Sequence, residues 1–156
     1  MKNTFRRKIN NFKKNRTLRK KYSSTNSISN FEEEITLYFL EMLMMVKLFH
    51  WKTHSYATHK ATDELYSKLN ANIDRFIEVL LGKTNSRVYI TKTRSLPIYD
   101  FNNVENFKSK IEAFKSYLVD LNEEPFIKKM SNADLLTIRD EILADLNQFL
   151  YLLTFK

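Results

Sequence analysis

Residues 31–66 read FEEEITLYFLEMLMMVKLFHWKTHSYATHKATDELY, one helix and the opening of a second. Phe31, Ile35, Tyr38, Phe39, Met42, Met45, Val46 and Phe49 recur at intervals that follow one face of a helix. Ser29, with Glu32 three residues on, makes a capping box, and Glu32, Glu33 and Glu34 suit the electropositive start of a helix. A first helix is therefore predicted from Ser29 to about His54. Leu40, Leu43 and Met44 widen its apolar stripe, which calls for cover on two sides, by its own fold and by a second subunit.

A second helix is predicted from about Ala57 to Leu81. Gly82, the single glycine of the chain, is a natural residue to end it. Residues 83–103 contain Pro97 and no helical period, so they read as a long crossing connection. A third helix carries Val104, Phe107, Ile111, Phe114, Leu118 and Leu121 at alternating intervals of three and four. The fourth opens at a box of Ser131 and Asp134 and carries Leu135, Ile138, Ile142, Leu146, Phe149 and Leu153. This pattern predicts an all-α fold, a four-helix bundle with a crossover between helices two and three.

Composition narrows the function. A chain of 156 residues holds about one domain. No apolar run approaches the roughly 18 residues of a membrane span. With no cysteine, disulfide scaffolds, thiolate zinc sites and cysteine nucleophiles are excluded. One glycine and two prolines argue against barrels and sandwiches, and they leave no glycine-rich phosphate loop.

The formal charge of +8 is concentrated at one end. Residues 1–28 carry Lys2, Arg6, Arg7, Lys8, Lys13, Lys14, Arg16, Arg19, Lys20 and Lys21 and no acid, while residues 29–156 sum to −2. Such a block repels itself and is too poor in apolar residues to fold alone. The chain thus divides into a disordered basic tail, 1–28, and a helical domain, 29–156, with the Ser/Asn-rich stretch Ser23–Asn30 as the boundary.

All three histidines, His50, His54 and His59, lie within ten residues, and Asp63, Asp74 and Glu78 follow on the second helix. With His59 at zero, Asp63 falls at about 40°, Asp74 at about 60° and Glu78 at about 100° around that helix. Imidazole with carboxylates is a donor set for iron, manganese or zinc. The plainer reading is an ordinary solvated acidic face, with Trp51 and Tyr66 as core residues and not electron relays. Eleven residues separate Asp63 from Asp74, about 16 Å along the axis. Ligand bonds of about 2.0–2.2 Å cannot span that distance to a single ion. Either the chain carries two half-sites, or a second copy, packed antiparallel about a two-fold axis, completes the set. No histidine follows position 59, so helices three and four cannot supply the Glu-x-x-His motifs of a site inside one bundle.

A His-Trp pair late in the first helix, then a His and an Asp opening the second, then Asp-x-x-x-Glu, resembles the Dps or mini-ferritin branch of the ferritin-like superfamily. The overall look is similar to ferritin-like proteins of large DNA viruses and phages. The resemblance implies a ferritin-like bundle and a homo-oligomeric shell such as a dodecamer. It also implies iron, at a di-iron or mononuclear ferroxidase site shared across a two-fold interface. His50, His59 and Asp63 would come from one subunit, Asp74 and Glu78 from its mate, with Trp51 beside the iron. The gap between His50 and His59 is shorter than in that family, and His54 has no counterpart there. The implied function is oxidation of Fe(II) and storage or detoxification of the ferric product.

The tail adds a second class of function. Arg6, Arg7, Lys8, Lys13, Lys14, Arg16, Arg19, Lys20 and Lys21 form the electrostatic footprint of non-specific DNA binding. The alternative to an active ferroxidase is therefore a DNA-condensing or virion structural protein with an inactive metal site. The tail also reads as a nuclear signal, or as a transit peptide with Phe5, Ile9 and Phe12 at helical spacing. No apolar segment of a secretory signal follows its charges, so an intracellular location is expected.

Overall fold

A computed structural model of the chain describes residues 28–91, 95–129 and 131–155. Among them are five helices and no strand: α1 (Ile28–Lys52), α2 (Tyr56–Thr84), α3 (Val104–Asp120), α4 (Pro125–Lys129) and α5 (Ala133–Leu152). A 3-10 turn, Leu121–Glu123, separates α3 from α4. The nine basic positions assigned to DNA, Arg6 to Lys21, lie outside the described residues.

The long helices share one apolar core built from the positions that the spacing picks out. Phe39, Met42, Met45 and Val46 of α1 are fully buried, as are Phe107, Ile111, Phe114 and Leu118 of α3. A buried side chain of this size contributes about 1.5–3 kcal/mol relative to its exposed state, so register is set by these rows. Phe49 stacks on Phe107 at 4.0 Å, and Tyr38 meets Phe114 edge-on at 4.9 Å, so α3 runs antiparallel to α1. Against α5, α2 is also antiparallel, through Lys68–Gln148, Asn72–Asp145, Arg75–Glu141 and Lys83–Asp134.

α1 and α2 are antiparallel through Phe39–Phe76 and His50–His59, so α2 and α3 point the same way. The end of α2 and the start of α3, joined by residues 85–103, lie at opposite ends of α1. α1 is about 37 Å long at 1.5 Å per residue, a span that needs about 11 extended residues. Polar ties fasten the connection along it. The Ser86 hydroxyl donates to Glu32 at 2.6 Å, and Thr91 donates its N–H and hydroxyl to Glu33 at 3.2 and 2.9 Å. Midway, the Tyr99 hydroxyl bonds Glu41, and the Lys110 ammonium lies 3.8 Å from the Tyr99 ring centroid. Burial pushes the Glu41 carboxyl up and the Lys110 ammonium down. At the far end, Lys52 holds Asp100 and Asn102.

Four local readings change. Glu32 and Glu33 are buried and serve the connection, so Glu32 does not act as the return arm of a Ser29 box. Gly82 lies inside α2, and Asn85 takes the left-handed turn (φ 49°) with its N–H on the Leu81 carbonyl. Asparagine tolerates that conformation because its short polar side chain can bond locally. At the start of α5 the cap position is Asn132, not Ser131. Its amide donates to the Ile127 carbonyl at 3.2 Å, while Asp134 pairs with Lys83. Helix α4 was not expected from the apolar period. It brings Phe126 within 5.3 Å of Phe31 and covers that end of the core.

A Cβ added at Gly82 meets nothing within 4 Å, and the residue's φ is not positive. Gly82→Ala should stabilise the protein by about 0.5–1 kcal/mol, since alanine loses less backbone freedom in a helix. Chemical denaturation measures this, and a destabilised variant would reject the placement of Gly82 within α2.

Candidate metal-ligating site

Only three residues, Thr53–Ser55, join α1 to α2. Ser55 caps α2 by accepting from the Thr58 N–H at 3.3 Å, and Thr53 accepts from the Ser55 N–H at 3.3 Å. So tight a link sets the last turn of α1 directly on the first turn of α2. His50 and His59 stack there, ring centroids 3.9 Å apart and planes inclined by 24°.

Their hydrogen bonds are reciprocal. His50 Nδ1 lies 3.1 Å from the His59 carbonyl oxygen, and His59 Nδ1 lies 3.1 Å from the His50 carbonyl oxygen. A carbonyl can only accept, so both Nδ1 atoms carry the proton. In the neutral rings each Nε2 is then a bare lone pair. His50 is buried, and its Nε2 stands 3.9 Å from the half-exposed Asp63 carboxylate. Two imidazoles held at Nδ1 by backbone, with a carboxylate nearby, form the kind of donor set that metal sites use.

The structure thus brings together His50, His59 and Asp63. It does not bring Asp74 or Glu78 to them: both are exposed further along α2. Among the described residues no three His, Asp or Glu side chains converge closely enough to hold a metal ion. Within one chain a stacked histidine pair, with Asp63 near His50, stands apart from the acidic pair. His54 is exposed in the link, and Trp51 is exposed on α1. The Lys47 ammonium lies 5.8 Å from the Trp51 ring centroid and 4.6 Å from that of Tyr66.

Thr62 was missed from the sequence. It is fully buried, with its hydroxyl 3.2 Å from His50 Nδ1 and 2.8 Å from the Thr58 carbonyl. One signal was available. Thr62, Leu65, Leu69, Ile73, Phe76 and Leu80 are the buried row of α2, and Thr62 is its one polar member. A groove of about 450 Å³ opens elsewhere, at the start of α1 between Ser29, Glu32, Ser86, Arg87 and Tyr89, away from the histidines.

Residues 50–153, two thirds of the chain, match the model of a family of unknown function, DUF5856. The chain belongs to the DUF5856 family. The matched stretch opens at His50 and contains His59, Thr62, Asp63 and the acidic pair, while all of α1 before its last three residues precedes it. No curated protein and no solved structure matches the chain.

Proposed function

We propose that this DUF5856 protein is an iron-oxidising, ferritin-like homo-oligomer whose site is completed between two copies. The observation that carries this reading is the reciprocal His50–His59 pair, with His50 Nε2 3.9 Å from the Asp63 carboxylate. The fold is compatible with it. Two helices run each way, and one connection passes along α1, as in a four-helix bundle with a crossover. Exposed Leu40, Met44 and Trp51 on α1 supply apolar surface for a second copy. A two-fold pairing of the α1–α2 faces sets Asp74 and Glu78 of each copy against the other's His50, His59 and Asp63.

Fe(II) is the substrate. Each ion loses one electron, and the acceptor is peroxide or oxygen. With peroxide, two Fe(II) supply two electrons, the O–O bond breaks, and two protons complete two waters. Ferric product is then deposited within the assembly. In this reading the chain's own residues hold Fe(II) on imidazole and carboxylate, and Trp51 lies beside it. The basic tail contacts DNA, and the protein is intracellular. Among the described residues no helix is long and apolar enough to cross a membrane.

Ligand substitutions test the reading, with native mass measured alongside. Asp63→Ala and Glu78→Ala should each abolish rapid Fe(II) oxidation with helical content and metal-free stability unchanged, because neither side chain is buried. His50→Ala should abolish it too, at some cost in stability, since His50 is buried and hydrogen-bonded. Normal oxidation in all three, or a monomeric wild type, would reject the shared ferroxidase. A wild type that oxidises no Fe(II) would leave the alternative, a DNA-condensing or virion structural protein with an inactive metal site.

A further inference from the structure

We infer that Thr62 is the positioning residue that keeps His50 open as a ligand, by holding its proton on Nδ1. The inference rests on the metal-binding reading of the site.

Two groups compete for the His50 proton. The Asp63 carboxylate stands 3.9 Å from Nε2, and a small ring rotation would let an Nε2–H donate to it. That arrangement would cap the lone pair and close the site. On the opposite side of the ring, the His59 carbonyl and the Thr62 hydroxyl lie 3.1 and 3.2 Å from Nδ1. They favour the tautomer with Nε2 bare.

The hydroxyl could in principle donate to Nδ1 and reverse this preference. Its proton is committed elsewhere: Thr62 Oγ1 lies 2.8 Å from the Thr58 carbonyl oxygen and 3.0 Å from that of His59. A hydroxyl that donates into its own helix presents only lone pairs to a second partner. Toward His50, Thr62 is therefore an acceptor. The His59 carbonyl alone is a weaker hold, because it lies within α2 and also takes the helical N–H four residues on.

A buried mid-helix threonine that bonds back to the fourth preceding carbonyl is common and is usually only structural. What distinguishes Thr62 is its contact across to α1, from a position in the core row that every other member fills with an apolar side chain. Valine would fit that row and keep the shape, while removing both lone pairs.

The test uses the full chain, metal-free and labelled with ¹⁵N, as wild type, Thr62→Val and Thr62→Ser. Long-range ¹⁵N–¹H spectra should show His50 protonated at Nδ1 in wild type and in Thr62→Ser. In Thr62→Val a population protonated at Nε2 should appear, with helical content unchanged. Titration with Co(II) alone should show about a tenfold loss of affinity in Thr62→Val, restored in Thr62→Ser, as expected for a residue that orients a ligand. A folded Thr62→Val with the wild-type tautomer and wild-type Co(II) affinity overturns the inference. If wild type binds no Co(II), the metal-binding reading fails, and the spectra by themselves still decide whether Thr62 sets the tautomer.

Discussion

Two inactive variants are expected to regain iron oxidation when they are dissociated and reassembled together. One lacks His59 and Asp63, the other Asp74 and Glu78. Each alone contains only incomplete sites, since the histidine cluster and the acidic pair are separate within a chain and about 16 Å apart along α2. In a mixed two-fold pair, the second variant contributes His50, His59 and Asp63 and the first contributes Asp74 and Glu78. That makes one complete site. The other site of the same pair retains only His50. Random pairing should therefore restore roughly a quarter of wild-type sites, from a background near zero. No folding defect mimics this result, because both parents are inactive. Inactivity in pairs proven to be mixed would reject the shared site.

The second large effect concerns the tail. Deleting residues 1–28 removes ten cations and no acid, turning a chain of +8 into one of −2. The helical domain should survive, because its first anchors lie beyond the cut. Phe31 meets Phe126, Glu32 holds Ser86 and Glu33 holds Thr91. DNA affinity should collapse, since phosphate contacts release counterions and dominate non-specific binding. For the intact protein, raising salt from 50 to 200 mM should weaken DNA binding by about 10³–10⁵ if six to ten phosphates are neutralised. Iron oxidation should show no comparable salt dependence, because the proposed pairing covers its ligands at an interface. Equal DNA binding by the truncated protein would make the tail an address signal.

The chain's own pattern settles more of the fold than of the site. A three–four apolar period reports which side of a helix faces inward, and that is a local property. The period therefore located α1, α3 and α5 and nearly every buried apolar residue in them, while α2 was placed by its bounds alone and its inward row came from the fold. Helix α4 escaped it, because five residues are too few to show a period. Gly82 was misread for a related reason. Residue type gives a preference for the left-handed turn, but the turn falls where the packed length of α2 ends, at Asn85.

Pairings across tens of residues are what only the folded chain decides. Glu32 and Glu33 look like helix-start acids in the sequence, and their partners, Ser86 and Thr91, lie 54 and 58 residues away. Arg139 of α5 is buried and donates to the Leu118 carbonyl at 2.8 Å and to Asn122 at 3.1 Å. Helical spacing puts His59 and Asp63 on one face of α2, and the fold sets His50 of α1 beside both. The histidine tautomers depend on two backbone carbonyls and on Thr62, brought within 3.2 Å by the short link between helices. Local periodicity carries α1, α3 and α5, because an inward face is a property of neighbouring turns. Which ring nitrogens of His50 and His59 stay free is a matter of packing, because a lone pair is kept open by whatever hydrogen-bonds the other side of its ring.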